Sequence, residues 1–285
     1  MNRRFTQVDV FAAPATATAP ALALRGNPLA VVHAAQGLDD AQMQALARWT
    51  NLSETSFLLP PTDPAADYRV RIFTPQRELA FAGHPTLGSC HAWLEAGGAG
   101  RAAGEVVQQC AAGLIRIRRE AGRLAFAAPP CRRTGPLDAE LLARIGAALA
   151  LPSNDIVDHQ WVDNGPGWCA IRLASASAVL ALRPDWAALR GIQLGVVGAH
   201  PPASEVQFEV RALIGEGAGY EDPVTGSLNA SLAQWLIGTG VAPPSYVAAQ
   251  GASLGRGGRV FIDCVGGQVW VGGGSVSCIR GEVVL

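Results

Sequence analysis

Charge is scarce in this sequence, and neither sign dominates. Charged residues make up 16% of the 285 positions, and the formal net charge is −1. The densest basic cluster, at 116–119 (Arg-Ile-Arg-Arg), alternates as a solvated strand edge does. Nucleic acid and acidic membrane surfaces are therefore not expected as partners, because both bind basic faces. No apolar run reaches the length of a membrane span, so we expect no membrane association.

Closely spaced cysteines are also missing. The six cysteines are scattered at 90, 110, 131, 169, 264 and 278, and no two form Cys-x-x-Cys. This spacing favours free, mostly buried thiols in a reducing compartment, and it does not suit a zinc site. No secretory signal precedes the strand-like stretch 8–11. We therefore expect a cytoplasmic protein without a metal site.

Apolar residues, in contrast, are abundant. They make up 49% of the chain, the mean hydropathy is +0.20, and the length allows one large domain or two ordinary ones. Many short strand-like segments occur with one long helix in each half, and strands and helices do not alternate regularly. This pattern predicts an α+β fold. The Pro-Pro pair at 129–130 is the best candidate linker and divides the chain into lobes at 1–128 and 129–285, with a return of the last strand to the first lobe left open.

The strongest local signal is the stretch 221–227 (Glu-Asp-Pro-Val-Thr-Gly-Ser). Pro223 suits the first turn of a helix, and Gly226 and Ser227 are small enough for a ligand to approach their amides. Apolar residues at helical spacing follow, so we expect a helix over 225–238.

An echo of this stretch occurs earlier in the chain. The segment 84–89 (His-Pro-Thr-Leu-Gly-Ser) aligns with 222–227, 138 residues later and close to half the chain length. The echo indicates two similar lobes, each directing a helix N-terminus toward a shared cleft. The backbone amides at Gly88, Ser89, Gly226 and Ser227 would then bind a substrate carboxylate or a developing enolate.

Three ionisable residues are candidates for proton transfer. Glu54 stands before an apolar strand, where partial burial raises a carboxyl pKa and suits a general base; alternatively it is a surface residue at a strand start. His84 at a helix N-terminus is expected to be a neutral imidazole, or else a histidine satisfied by the turn. Asp222 is either a third member of the site or a plain helix N-cap. Together the three form a proton-transfer constellation.

Two glycine-rich motifs are assigned no chemistry. Residues 251–255 match Gly-x-Ser-x-Gly, but a turn and a strand follow where a hydrolase elbow needs a helix. The three glycines at 272–274 lack the strand–helix context of a dinucleotide loop and predict a sharp bend. Short helical pieces are expected at 175–181 and 184–190.

These motifs, taken in order, resemble the PhzF-like isomerase family of phenazine biosynthesis. The resemblance runs over nearly the whole chain and rests on 8–11 (Val-Asp-Val-Phe), 26–32 (Gly-Asn-Pro-Leu-Ala-Val-Val), 51–55 (Asn-Leu-Ser-Glu-Thr), 81–88 (Phe-Ala-Gly-His-Pro-Thr-Leu-Gly), 221–227, 250–251 (Gln-Gly) and 255–256 (Gly-Arg).

The resemblance implies a diaminopimelate-epimerase-like fold: two pseudo-symmetric lobes, each a curled mixed sheet around a central helix. It implies a cofactor-independent isomerase, a small carboxylate substrate, and a homodimer. The position of Glu54 corresponds to the proton shuttle, and those of His84 and Asp222 to residues that orient the substrate and assist transfer. The expected substrate-binding residues are Asn27, Ser53, Gly83, Gly88, Ser89, Gly226 and Ser227.

Departures from the family pattern leave the reaction open. The loop 12–25 looks longer than usual, and 211–215 lacks the usual Phe and Pro before the second motif. Epimerases of this fold carry a catalytic Cys at each turn, whereas Gly83 and Asp222 stand there in this chain. The leading hypothesis is an isomerase like that of trans-2,3-dihydro-3-hydroxyanthranilate. The alternatives are an epimerase or racemase of an amino acid derivative and a non-catalytic binding protein.

Overall fold

The computed structural model describes residues 2–13, 23–120 and 122–285. The chain forms two compact units: Met1–Ala127 together with Gly272–Leu285, and Ala128–Val271. Most of the loop 12–25, which the sequence comparison marks as unusually long, lies outside the described residues. Within the described part of the chain, no helix has the length and apolar character that a membrane crossing requires.

The first unit contains the first eight strands and the first two helices of the chain. Its elements are β1 (Asn2–Ala12), β2 (Asn27–Val32), α1 (Asp40–Thr50), β3 (Glu54–Leu59), β4 (Tyr68–Phe73), β5 (Glu78–Leu79), α2 (Gly83–Glu95), β6 (Glu105–Cys110), β7 (Gly113–Glu120) and β8 (Arg123–Ala127).

The second unit has fewer paired strands and three helices. Its elements are α3 (Ala139–Ala148), β9 (Ile156–Trp161), β10 (Trp168–Leu173), α4 (Ala176–Ala181), β11 (Gln193–Ala199), β12 (Phe208–Ile214), β13 (Tyr220–Asp222), α5 (Gly226–Gly238), β14 (Ser245–Gln250) and β15 (Gly258–Val265). The last strand, β16 (Gln268–Val284), begins in the second unit and ends in the first.

The sheet of the first unit is mixed. Its strand order is β1-β2-β3-β4-β6-β7-β8-β16, and β16 also pairs with β1, so the order returns to its start. The pairs β2–β3 and β4–β6 are parallel, and the pairs β1–β2, β3–β4, β6–β7, β7–β8 and β1–β16 are antiparallel. In β2–β3, Leu29 lies opposite Glu54.

Helix α2 is the buried helix of the first unit. Most of its residues are buried, including His84, and it packs against β1, β2, β3, β6 and β8. Small residues make this possible: a Cβ atom at Gly88 would lie 2.6 Å from Leu29 Cδ2 and 2.8 Å from Val10 Cγ2. A helix that is buried on all sides needs such small positions where strands approach it.

The second unit is also built on a mixed sheet with a buried helix. Its strands follow the order β16-β15-β14-β12-β11-β10-β9, with β13 paired to β12. The pairs β10–β11 and β12–β14 are parallel. Helix α5 is buried along most of its length and packs against β15. The α+β class predicted from the sequence is therefore confirmed.

Two local predictions are wrong. The stretch 184–190 forms turns and no helix. The glycines at 272–274 make no sharp bend, because β16 continues through them with a register shift opposite β1. They serve close packing: a Cβ atom at Gly273 would lie 2.3 Å from the Phe11 ring, and one at Gly272 would lie 3.1 Å from the Leu124 carbonyl oxygen.

Candidate active site

His84 lies in the first turn of α2 and is buried. Burial lowers the pKa of its imidazole to about 3, because the charged form would lose its water. The ring is therefore neutral at physiological pH. The side-chain amide Nδ2 of Asn27 lies 3.3 Å from His84 Nδ1 and donates to it. Since Nδ1 accepts, the one ring proton is on Nε2.

Glu54 lies close to His84 Nε2, but the two atoms make no hydrogen bond. Its Oε2 lies 3.3 Å from His84 Nε2, and 15% of its side chain is exposed. Glu54 is the first residue of β3, and the register of β3 with β2 places it near Asn27 at the start of β2. The structure thus brings together Asn27, His84 and Glu54, three of the residues selected from the sequence.

The amides of α2 that lack an intrahelical acceptor belong to Gly83 and His84. The first bond of the helix runs from Thr86 N–H to the Ala82 carbonyl, Pro85 has no N–H, and Ala82 at the N-cap has no polar side chain. Gly83 therefore has a first-turn amide, and its role in substrate binding stays a prediction. Ser53 directly precedes Glu54 and is half-buried.

The predicted roles of Gly88 and Ser89 are corrected by the structure. Both residues lie past the first turn of α2, where backbone amides are used by the helix itself. Gly88 packs closely against β1 and β2, and this approach is possible because glycine has no Cβ atom. The echo with 226–227 misplaced these amides because α2 begins five residues earlier, relative to the motif, than α5 does.

Asp222 ends strand β13 in the second unit and is buried. Its Oδ2 accepts a 2.5 Å hydrogen bond from the Thr225 hydroxyl, and its carbonyl accepts from Gln250 Nε2 at 3.1 Å. Asp222 is not an N-cap, since Thr225 occupies that place. The plain-cap alternative raised by the sequence is thus wrong.

Gly226 and Ser227 open α5, so their amides lie in its first turn, as predicted. The Ser227 hydroxyl accepts from Trp168 Nε1 at 3.1 Å, and its carbonyl accepts from Asn164 Nδ2 at 2.8 Å. These bonds fix Ser227 through its side chain and carbonyl, and its amide is not involved in either.

The N-termini of α2 and α5 differ from those of the other α-helices. Side chains of Asp39, Asp138 and Ser175 cap α1, α3 and α4. Among the described residues, no side-chain cap bond occurs at the start of α2 or α5. First-turn amides without a side-chain cap are suited to bind an anion.

Residues that the sequence did not single out as site residues surround Asp222. They are Thr225, Asn229 and Gln250, all buried and joined by hydrogen bonds. Gln250 belonged to the Gln-Gly pair that carries the family resemblance, but a glutamine in an apolar strand gives no local sign of its partners. The partners lie 21 to 28 residues away in sequence.

Glu221, next to Asp222, has a structural role. Its carboxylate pairs with Arg211 at 2.7 Å and accepts from the Ser253 hydroxyl at 2.5 Å, and both charged side chains are nearly buried. Successive strand residues point to opposite faces, so Glu221 anchors one face of β13 while Asp222 occupies the other. This contact also accounts for Ser253 of the Gly-x-Ser-x-Gly match.

Thiol and metal chemistry receive no support from side-chain placement. Cys90 lies inside α2, and burial raises the pKa of its thiol to about 12. All six cysteines are free. Among the described residues, no group of three or more His, Cys, Asp or Glu side chains is arranged as a metal site.

The comparisons with known proteins identify the family of this chain. The family model described as "Phenazine biosynthesis-like protein" (PhzC-PhzF) matches residues 9–281. Antisense-enhancing sequence 1 of Schizosaccharomyces pombe is 33% identical, over 98% of this chain and 97% of that protein. Trans-2,3-dihydro-3-hydroxyanthranilate isomerase of Pseudomonas fluorescens is also 33% identical, over 92% of this chain and 95% of its own.

A solved structure shows the same fold. The phenazine biosynthesis protein of the PhzF family from Enterococcus faecalis superposes with a TM-score of 0.80 at 25% identity, and 100% of each chain is covered. The match of the family model over nearly all of the sequence and the identity with named isomerases lead to one conclusion. This chain belongs to the PhzC-PhzF family of phenazine biosynthesis-like proteins and is an isomerase.

Proposed function

We propose that this isomerase moves a proton between carbon atoms of a small carboxylate-bearing substrate, with Glu54 as the general base and acid and without a cofactor. The substrate class is that of trans-2,3-dihydro-3-hydroxyanthranilate, on which the relative from Pseudomonas fluorescens is named to act. One observation carries the proposal: the Glu54 carboxylate lies 3.3 Å from Nε2 of a buried histidine that is held neutral.

The charge state of His84 matters for Glu54. An imidazolium at this distance would stabilise the carboxylate strongly and make it a poor base. A neutral N–H near the same carboxylate does not cause that loss of basicity. Because Asn27 donates to Nδ1, the ring proton is on Nε2, the nitrogen that lies 3.3 Å from the Glu54 carboxylate. The arrangement is therefore suited to a base that takes up a proton and gives it back.

The proposed reaction is a balanced proton shift. The Glu54 carboxylate removes a proton from one carbon of the substrate, and the electron pair of the broken C–H bond delocalises over the conjugated system. The protonated Glu54 then returns the proton to a second carbon. The first-turn amides of Gly83 and His84 hold the substrate carboxylate during both steps.

Asp222 is proposed to assist this reaction by orienting the substrate. The support is the position that the family resemblance assigns to it, together with its placement at the end of β13 beside the first-turn amides of α5. We expect replacement of Asp222 by Asn to weaken both substrate binding and turnover.

The racemase alternative has less support. The two-thiol mechanism needs a Cys at each motif turn, and this chain has Gly83 and Asp222 there. Cys90 cannot replace these cysteines, because it lies inside α2 and its thiol stays protonated at a pKa of about 12.

The experiment that tests the proposal is deuterium exchange. The enzyme is incubated in heavy water with trans-2,3-dihydro-3-hydroxyanthranilate and a panel of small carboxylates, followed by mass spectrometry and chiral analysis. We expect isomerised product with deuterium uptake in the wild type. Glu54→Gln keeps the shape but removes the base, so exchange is expected to fall by roughly two to four orders of magnitude while ligand binding survives.

The matched control is Glu105→Gln. Glu105 is also the first residue of a strand, but it pairs with Arg116 at the surface. The Glu105→Gln variant is expected to catalyse deuterium exchange at the wild-type rate. Near-normal exchange by Glu54→Gln would contradict the proposed base, and inversion of a stereocentre without isomerisation would favour the epimerase.

A further inference from the structure

A buried hydrogen-bond network holds Asp222 in the second unit. Its members are Asp222, Thr225, Asn229 and Gln250, and each is at most 8% exposed. They come from the end of β13, the N-cap and first turns of α5, and the end of β14. Because buried polar atoms are almost always paired, the direction of each bond can be read from the donors and acceptors available.

The backbone fixes the orientation of the Gln250 amide. The Thr225 backbone N–H can only donate, and it lies 3.0 Å from one side-chain atom of Gln250, which must therefore be Oε1. The other atom, Nε2, lies 3.1 Å from the Asp222 carbonyl, which can only accept. Asn229 agrees with this assignment, since its Nδ2 donates to Gln250 Oε1 at 2.8 Å and to the Thr225 carbonyl at 2.9 Å.

This orientation decides where the Thr225 hydroxyl proton points. Gln250 Nε2 donates its second proton to Thr225 Oγ1 at 2.9 Å, so the hydroxyl acts there as an acceptor. Its own proton is then directed to Asp222 Oδ2, 2.5 Å away. Oδ2 must accept, and a carboxyl oxygen that accepts a short bond is favoured in its unprotonated form.

Helix α5 lacks the stabilising hydrogen bond that its N-cap side chain could make to a first-turn amide. A threonine at an N-cap usually accepts a hydrogen bond from an amide of the first turn. Thr225 occupies the N-cap of α5, but its hydroxyl is committed to Gln250 and Asp222. A residue that gave only helix stability would make the capping bond.

We propose that Gln250 is a positioning residue: by donating to Thr225 it obliges that hydroxyl to donate to Asp222 Oδ2, and so keeps the Asp222 carboxylate ionised and fixed in direction. The consequence for catalysis rests on the proposed function, in which Asp222 orients the substrate. The direction of the hydrogen bonds does not rest on it.

The test uses carbon-13 NMR of the full-length protein with labelled aspartate side chains. The Asp222 signal is assigned by its loss in Asp222→Asn, and its chemical shift is followed against pH. In Thr225→Val, which keeps the shape but lacks the hydroxyl, the midpoint of the Asp222 titration is expected to rise by about one pH unit. In Thr225→Ser the hydroxyl is restored, and the midpoint is expected to stay at the wild-type value.

The matched control is Thr239→Val. Thr239 follows the other end of α5, where its hydroxyl donates to the Trp235 carbonyl at 2.9 Å. The Asp222 midpoint is expected not to move in this variant. An unchanged midpoint in Thr225→Val, or an equal rise in Thr225→Ser, would overturn the proposal.

A measurement on the wild type keeps the proposal testable if Thr225→Val does not fold. With selectively labelled threonine, the Thr225 hydroxyl proton is expected as a slowly exchanging signal whose shift follows the Asp222 titration. A hydroxyl signal that is insensitive to that titration would also overturn the proposal.

Kinetics separate the inference from the proposed function. With trans-2,3-dihydro-3-hydroxyanthranilate as the probe, the acid limb of kcat/KM in Thr225→Val is expected to move upward with the NMR midpoint. If wild-type protein does not isomerise this probe, the proposed substrate is wrong, while the NMR result still decides whether the Thr225 hydroxyl donates to Asp222, as the orientation of Gln250 requires. If it does and the acid limb stays fixed although the midpoint moves, the link from this hydrogen bond to catalysis is refuted.

Discussion

At His84 a single neighbour determines which ring nitrogen carries the proton. Asn27 Nδ2 donates to Nδ1, which leaves the proton on Nε2 beside Glu54. A helix N-terminus and burial both disfavour the charged ring, so the histidine stays neutral. The sequence predicted the neutral state from the helix position. It gave no sign of the tautomer, because Asn27 is 57 residues away.

We expect Asn27→Asp to reverse this tautomer. An aspartate oxygen at the same place would accept a proton from Nδ1 and leave Nε2 without one, facing the Glu54 carboxylate. If Glu54 is the base, kcat/KM for the isomerisation is expected to fall roughly 10- to 100-fold. Steady-state kinetics measure the effect, and nitrogen-15 NMR of the histidine ring reports the tautomer.

Asn154→Asp is the control for Asn27→Asp, because Asn154 is exposed in a short turn and the change adds the same charge. It is expected to leave kcat/KM unchanged. A change of tautomer in Asn27→Asp without any loss of rate would contradict the role given to His84.

Helix α5 shows which parts of an element can be predicted from the sequence and which cannot. Its predicted span of 225–238 nearly equals the observed Gly226–Gly238, since proline, small residues and apolar spacing are local signals. The echo with α2 aligned His84 with Asp222. His84 lies in the first turn of its helix, however, while Asp222 ends a strand four residues ahead of α5. Gln250 holds that segment extended, and such a long-range contact leaves no local pattern.

The glycines of β16 illustrate the same limit. Three consecutive glycines predict a bend, because glycine is flexible. In the structure their missing side chains allow Phe11 and β8 to approach, and the strand continues. A sequence indicates that a position is small, but only the packed neighbours show whether flexibility or close contact is the reason.

Gly88→Ala is a test at the level of α2. In an exposed helix this change stabilises, because alanine has the higher helix propensity. Here the new Cβ atom would lie 2.6 Å from Leu29 Cδ2, and Leu29 is fully buried. We expect the free energy of unfolding to fall by about 1–3 kcal/mol, as for overpacked cores. Urea denaturation measures it.

Gly238→Ala is the matched control for Gly88→Ala. Gly238 ends α5, and apart from its chain neighbours and the backbone of its own helix, no heavy atom of the described residues lies within 4 Å of the Cβ position. This variant is expected to be as stable as the wild type or up to about 1 kcal/mol more stable. If Gly88→Ala behaved like Gly238→Ala, α2 would not be tightly packed at this point.

For the whole molecule, two buried histidines connect folding to pH. Burial lowers the pKa of His84 to about 3, and burial together with the nearby Arg4 lowers that of His33 to about 4, from an ordinary value of 6.5. Below pH 6.5 these histidines therefore bind protons in the unfolded chain but not in the folded chain. Both contributions to stability are fully present above pH 6.5 and are lost as the pH falls toward the folded values.

One buried carboxyl works in the opposite direction at lower pH. Burial raises the pKa of Glu209, even though His200 lies 3.1 Å away and favours the ionised form. Its contribution is present below the ordinary carboxyl value of 4.5 and is lost as the pH rises through the raised folded value. His91, whose pKa burial also lowers, adds to His84 and His33 as the pH falls below 6.5, and Glu209 opposes them.

We expect the free energy of unfolding to decrease as the pH is lowered from 6.5 to 5. Each histidine contributes a slope of up to about 1.4 kcal/mol per pH unit, since one proton is taken up on unfolding. In His33→Gln the slope is expected to become smaller but not to vanish, because a glutamine can still bond Thr6 but does not titrate, while His84 and His91, whose pKa values burial also lowers, still titrate. Urea titrations at closely spaced pH values measure both slopes. A flat profile in the wild type, or equal slopes in the two proteins, would show that these histidines are as easily protonated in the folded state as in the unfolded one.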